Sequence, residues 1–468
     1  MVFASLNFLY IFLPLNLILY YSWNNQTYRN WLLTMMSFVF YAWGEPIWIG
    51  LLLFSGAVDY VHGILIDKYR GTIYQKLPLL SCLFINLSLL ASFKYATFIV
   101  DNVNLLTGLQ FSVPTFSLPI GISFYTFQTI SYVIDVYKGE VKSQKSFLKF
   151  MMFVSLYHQL VAGPIVRYAH IADEIDNRKL ILTDISEGIN RFCVGLFKKV
   201  CIANIAGELV STYMGGNLDT LATTEAWFGI CMFALQIYFD FSGYSDMAIG
   251  LGKMFGFHYH ENFNYPYMAT SAVDFWRRWH ISLGTFFRDY VYIPLGGNRN
   301  FFYRNLVVVW FLTGLWHGAS WNFICWGLFW CLLIIAERVF LGKLLEKLPN
   351  IFAHIYLLLA MLLGWVLFYF DKMANVQQYI RILFAFANND LHHASLLTIL
   401  ANHIFWLILA ILLCFPIFPF LYKKIYQLRP NLQYSIFYLE IVFGFILLLA
   451  STAMLVSNSF NPFLYFRF

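Results

Sequence analysis

Runs of apolar residues long enough to cross a lipid bilayer recur along the whole chain, and they restrict its fold more than any other feature. About 20 such residues at 1.5 Å rise span a hydrocarbon core about 30 Å thick. Candidate spans are 3–21, 31–43, 47–66, 77–100, 116–137, 147–163, 191–213, 226–251, 305–340, 351–370, 397–421 and 434–456. The spacing predicts an all-α, polytopic membrane protein with about 11–12 transmembrane helices. The 305–340 stretch divides readily into two segments. The stretches 31–43 and 147–163 are short or polar, which predicts re-entrant or in-plane helices covered by protein. Of the 468 residues, 60% are hydrophobic and 12% charged, so a soluble fold has nowhere to bury its apolar surface.

The net charge of +6, with 14 Trp and 31 Tyr, suits aromatic belts at the interfaces and basic cytoplasmic loops, so no nucleic-acid partner is implied. Lys68, Arg70 and Lys76, then Lys138, Lys142, Lys145 and Lys149, then Lys423, Lys424 and Arg429 mark loops that the positive-inside rule places in the cytoplasm. The first apolar stretch, Val2 to Tyr21, lacks a basic n-region and a cleavage site and reads as a retained span. The seven cysteines show no Cys-x-x-Cys spacing and are expected as free, buried thiols. There is no internal repeat or linker, so 1–468 reads as one membrane domain, with a polar segment at about 236–322.

Within that segment an imidazole, His317, stands in Leu315-Trp316-His317-Gly318, beside the apolar run that continues through Trp330. An ionisable group in such a setting usually faces a cavity or a partner. A neutral imidazole there can take a proton from a hydroxyl as the hydroxyl attacks a thioester. Pattern alone leaves a packed, hydrogen-bonded core histidine equally open.

Upstream, Asp274-Phe275-Trp276-Arg277-Arg278-Trp279-His280 continues to Arg288. Read as one helix, it puts Trp276, His280 and Phe287 on one face. Asp274 and Arg278 are placed to pair at i,i+4, which leaves Arg277 or Arg288 for an anionic ligand. Structural ion pairing is the plainer reading of each arginine. The turn Gly296-Gly297-Asn298, with Arg299 after it, offers backbone amides and a guanidinium to phosphates. A membrane-surface turn with snorkelling arginines is the plainer reading there.

Asp240, Ser242, Tyr244 and Asp246 lie in a further apolar span. Six residues place the two carboxylates about 240° apart on a helix, which favours hydrogen bonding within the bundle over shared acid/base chemistry. No His-Glu-x-x-His or Cys/His zinc spacing occurs, so no metal is indicated. A Gly-x-Ser-x-Gly elbow and a Walker loop are likewise missing from the sequence.

These residues resemble the membrane-bound O-acyltransferase family, in particular the membrane subunits of bacterial alginate and peptidoglycan O-acetyltransferases. The resemblance runs through Gly121 to Gln128, Val161-Ala162-Gly163-Pro164-Ile165-Val166-Arg167-Tyr168, Tyr238 to Asp246, Asp274 to Asn298 and Leu315 to Trp321. It implies a ring of helices around a central funnel, His317 as catalytic residue and His280 as a second active-site residue. Trp276, Arg277, Arg288, Asn298 and Arg299 become candidates for the donor site, and Trp316 joins Asp240, Ser242, Tyr244 and Asp246 as site-lining candidates. It further implies acetyl-coenzyme A as donor substrate, with no permanently bound cofactor. Transfer would proceed through an extracytoplasmic SGNH-type acetyltransferase or small acceptor protein to a polysaccharide, from a bacterial inner membrane. D-alanyl transfer to teichoic acid belongs to a related branch. One departure is Tyr157-His158, where relatives often carry Phe-Pro, so the bend there is expected to differ. The rival from another class is a transporter or channel in which His317 and His280 relay protons.

Overall fold

Helix starts follow polar residues that precede the apolar runs. Asn25 caps α2 (Gln26–Gly44) by accepting from Tyr28 N–H, and Ser146 caps α6 (Phe147–Ser155) by accepting from Lys149 N–H. The computed structural model describes residues 1–113, 117–160, 163–387, 389–428, 433–458, 460–461 and 464. Val161, Ala162 and Arg429 lie outside the described residues. The described residues form helices joined by turns and extended connections, with no strand among them. Among the described residues six helices are long and apolar enough to cross a membrane, at Ile49–Lys68, Ile73–Thr107, Trp321–Leu345, Asn350–Tyr369, Ser395–Leu413 and Phe437–Ser457. Several other expected passes are shorter or more polar helices. The 305–340 stretch is two of them, α10 (Phe302–His317) and α11 (Trp321–Ala336).

The chain divides into two compact units, Met1–Phe192 with Tyr244–His260, and Cys193–Gly243 with Glu261–Phe468. In the first, α1 (Leu13–Ser22) and α2 precede α3 (Ile49–Lys68), which packs on the run α4 (Ile73–Thr107) and on α5 (Ile122–Lys138). The first two basic loops of the sequence meet here, since Arg70 and Lys145 both pair with Asp67, at 3.0 and 3.1 Å. At Tyr157-His158 the chain bends without a proline: α6 stops at Ser155, Leu156 leaves helical geometry, and Ser37 Oγ accepts from Tyr157 N–H at 3.2 Å. Tyr157 Oη accepts from Asn16, and His158 Nδ1 bonds Tyr259 Oη at 2.6 Å.

The second unit holds the first part of α7 (Thr223–Met254), the short helices α8 (Ala272–Arg278) and α9 (Ile281–Phe287), the hairpin α10–α11, and α12 (Asn350–Tyr369). The hairpin helices touch at backbone distance. A Cβ on Gly327 would meet Trp310 O at 2.3 Å, and one on Gly314 would meet Phe323 O at 2.4 Å. Small residues at a helix crossing permit this approach in membrane bundles. It places His317, the last residue of α10, at the hairpin's closed end.

Candidate functional site

The segment expected as one helix through Trp276, His280 and Phe287 is broken. Trp279 turns extended, and His280 adopts left-handed geometry (φ 46°, ψ 52°) as the cap of α9. A non-glycine residue in that region is strained, by about 1–3 kcal/mol, and persists where its surroundings hold it. Here the holder is buried Asn262. Its Oδ1 accepts from Ser282 N–H (3.1 Å) and Oγ–H (2.9 Å), and its backbone O accepts from Ile281 N–H (3.0 Å). The break has a chemical consequence. Nδ1 of His280 accepts from Leu283 N–H at 3.3 Å, so the neutral ring carries its proton on Nε2. The expected Asp274–Arg278 pair forms, at 2.9 Å.

His280 lines a cavity of about 1030 Å³. Four of the five donor-site candidates line it too, namely Trp276, Arg277, Arg288 and Asn298. Arg299 lies on an exposed turn outside that lining, because Gly296 (φ 109°) and Gly297 (φ 55°) reverse the chain just before it. Tyr292 Oη–H donates to Asn298 Oδ1 at 2.7 Å and ties the turn to the cavity's rim. The indole N–H of Trp276 is buried and has no protein acceptor among the described residues, which leaves one hydrogen bond for a ligand carbonyl. The cavity's lining combines exposed arginines, Arg277, Arg288 and Arg338, with the buried residues His280 and Trp310.

His317, 7% exposed, faces a second and much smaller chamber of about 20 Å³. That is room for about one water-sized oxygen group. Its walls include Asp240, Phe241, Trp326, Trp365 and Phe368. The rings of Trp326 and Phe368 stand edge-on to the imidazole, at 4.9 and 5.0 Å. Asp240 is the one acidic residue in the lining among the described residues. Its Oδ1 pairs with Lys199 Nζ at 2.7 Å, and its Oδ2 accepts from Leu464 N–H at 2.8 Å. Leu464 also lines the chamber.

Aromatic rings separate the two spaces. Trp316 lies 5.7 Å from the His280 ring and 4.9 Å from that of His317, while Phe241, a chamber wall, is 4.7 Å from His280. Trp276, on the large cavity, meets Trp326, on the chamber, at 5.5 Å. Ser242 is buried in the same unit. Tyr244 and Asp246 belong to the first unit, where Tyr244 stacks on Phe3 at 4.6 Å and Asp246 pairs with Arg191 at 2.6 Å. Each carboxylate thus has its own cationic partner, Lys199 for Asp240 and Arg191 for Asp246.

Sequence reading does not single out Lys199, Asn262 or Arg338, although Lys199 inside the apolar stretch 191–213 is a signal it could use. Lys199, Arg288 and Arg338 each sit in a π-helical turn, at Lys198–Ala203, Arg288–Tyr292 and Glu337–Leu341. Such turns often mark functional positions, because the extra residue re-aims side chains out of the α-helical repeat.

The profile of MBOAT, the membrane-bound O-acyltransferase family, matches residues 1–370. The chain belongs to the membrane-bound O-acyltransferase family. It is therefore related to acyltransferases that are multi-pass membrane proteins. It is 40% identical to the probable alginate O-acetylase AlgI of Azotobacter vinelandii over 408 residues, 85% of this chain and 81% of that one. It is 34% identical to the peptidoglycan O-acetyltransferase of Helicobacter pylori over 414 residues, 80% of this chain and 78% of that one. It is 28% identical to the teichoic acid D-alanyltransferase of Streptococcus thermophilus over 248 residues, 48% of this chain and 58% of that one.

Proposed function

We propose that this protein is a membrane O-acetyltransferase that takes acetyl groups from cytoplasmic acetyl-coenzyme A and delivers them across a bacterial inner membrane for O-acetylation of a polysaccharide. Alginate, peptidoglycan or a similar cell-surface or secreted polymer is the final acceptor, reached through an extracytoplasmic acetyltransferase or a small acceptor protein. The observation that carries this reading is the placement of His317. Its imidazole lines a water-sized chamber together with apolar rings and the Asp240 carboxylate, in the same unit as a large cavity whose lining carries Arg277, Arg288 and Arg338 beside Glu337 and Glu346. The large cavity suits a polyanionic donor with a thioester arm, and the chamber suits a single acceptor hydroxyl.

In the proposed reaction His317 takes the proton of the acceptor hydroxyl. The hydroxyl oxygen bonds to the acetyl carbon, the carbon–sulfur bond breaks, and the departing thiolate takes up the proton. The Nε2–H of His280 orients the thioester or stabilises charge developing on its oxygen. Passage of the acetyl group toward His317 requires the Trp316 and Phe241 rings to move aside.

D-alanyl transfer is the second reading. The relatives named for it match less than half of this chain, so acetyl transfer is favoured. Membership in an acyltransferase family favours group transfer over ion transport.

The test is transfer of labelled acetyl from acetyl-coenzyme A by the purified protein. His317→Ala should abolish transfer while the protein still purifies. Transfer that survives this change refutes the role of His317, and wild-type protein that turns over D-alanyl but not acetyl thioesters refutes the donor.

A further inference from the structure

Antiparallel packing of α10 on α11 brings the start of one helix to the end of the other. Phe302, the first residue of α10, and Arg338, just past α11, meet there, with the guanidinium carbon 3.7 Å from the ring centroid. Fifteen residues of helix, about 22 Å of rise, separate Phe302 from His317 at the closed end. Both Phe302 and Arg338 line the large cavity.

The cations on that cavity are not equivalent. Arg288 is held by Asp289 through two hydrogen bonds, at 2.6 and 3.1 Å. Arg277 and Arg338 make no ion pair among the described residues. The carboxylate next in sequence to Arg338, Glu337, is occupied instead by Ala272 N–H (2.6 Å) and Tyr356 Oη–H (3.1 Å). A guanidinium lying over an aromatic ring keeps its in-plane N–H groups for phosphate oxygens. The ring fixes its position, which lowers the entropy lost on binding.

Resting on the reading that the donor is a coenzyme A thioester, the geometry points to the Phe302–Arg338 pair as the site that binds the phosphorylated adenosine end of the donor. Arg338 is then a donor-specificity residue. It distinguishes a nucleotide-bearing thioester from the same thioester on phosphopantetheine alone. Two features support this assignment. A volume of about 1030 Å³ sits at the top of the roughly 300–1,000 Å³ range of small-molecule pockets, more than a bare pantetheine arm fills. Phe302 and Arg338 lie at the end of the hairpin away from His317, matching a molecule with a polyanionic head at one end and a neutral thioester at the other.

The experiment compares acetyl-coenzyme A with acetyl-phosphopantetheine as donors for the purified full-length protein, following thiol release. In Arg338→Ala the ratio of kcat/KM for acetyl-coenzyme A to that for acetyl-phosphopantetheine should fall about tenfold or more. Arg338→Lys should restore part of it. Adenosine 3′,5′-bisphosphate should inhibit the wild type, and inhibit Arg338→Ala about tenfold more weakly. An unchanged ratio, whatever the overall rate, overturns the proposal, and is the result expected if Arg338 holds a lipid phosphate or only packs on Phe302. Wild-type protein that turns over neither donor overturns the donor reading itself, and the assignment with it.

Discussion

Lys199 and Asp240 face each other at 2.7 Å, Nζ to Oδ1, with side chains only 5% and 3% exposed. Removing two charges from water costs several kcal/mol per ion, and the pair offsets this only where the remaining donors and acceptors are also satisfied. Asn204 Oδ1 accepts from Lys199 at 2.9 Å, and Leu464 N–H serves Asp240. The pair thus fixes one wall of the His317 chamber.

Lys199→Ala should therefore destabilise the protein by about 3–5 kcal/mol, because Asp240 is left buried without its counter-ion. Thermal unfolding in detergent measures the effect. The double replacement Lys199→Met with Asp240→Leu should regain much of that stability, since apolar side chains of similar size replace both charges. Equal instability of the single and double variants would mean that the pair is not what holds this wall.

Gly327→Ala tests the hairpin. The new methyl would meet Trp310 O at 2.3 Å and Gly314 Cα at 3.3 Å, and backbone cannot rotate away as a side chain can. The helices must separate at a cost of about 1–3 kcal/mol. A shift of about 1 Å at the hairpin tip is enough to cost about 100-fold in transfer. Leu332→Ala on exposed α11 surface serves as the control and should transfer acetyl at the wild-type rate. Comparable rates in both variants would show that the close crossing does not position His317.

Asn262→Ala removes the acceptor that holds Ser282 and the strained turn at His280. The expected result is a fall in kcat of about tenfold or more with a smaller change in donor KM, the pattern of an interaction felt in the transition state. Asn262→Asp retains the acceptor oxygen and should recover part of the rate. A rise in KM at constant kcat would instead make Asn262 part of donor binding.

His258 predicts a pH effect outside the candidate site. Its Nδ1 lies 2.7 Å from Glu174 and its Nε2 3.3 Å from Asp184. Burial lowers its pKa, but the hydrogen bonds and charges of Glu174 and then Asp184 outweigh that, so the pKa is raised on folding. The resulting stability is fully present below the unfolded value of about 6.5 and is lost as pH rises through the raised folded value. The ring is half exposed, so solvent screening holds the effect within about 0–1 kcal/mol. Melting temperature should decline across that interval in the wild type and less so in His258→Gln. Parallel pH profiles would dismiss the contact as a source of stability.

The helical membrane fold was legible because hydrophobic length is a local property, and a run such as 351–370 needs no partner to be read as a span. The Asp274–Arg278 pair was legible for the same reason, since four residues of helix bring the two groups together. The break at His280 was not. Nothing in Trp279-His280-Ile281 forbids a continuous helix, and the turn exists because Asn262, eighteen positions earlier, takes the hydrogen bonds that start α9.

The sequence by itself determined that apolar helices would dominate, that a few polar groups would be buried among them, and that His317 and His280 would be prominent among those groups. Only the tertiary structure decided which space each histidine faces and which of the cavity's arginines make an ion pair among the described residues. Ion pairs and stacked rings such as Lys199–Asp240 and Phe302–Arg338 join residues 41 and 36 positions apart. Their energy depends on a separation of a few ångströms that helix packing sets and local sequence does not encode.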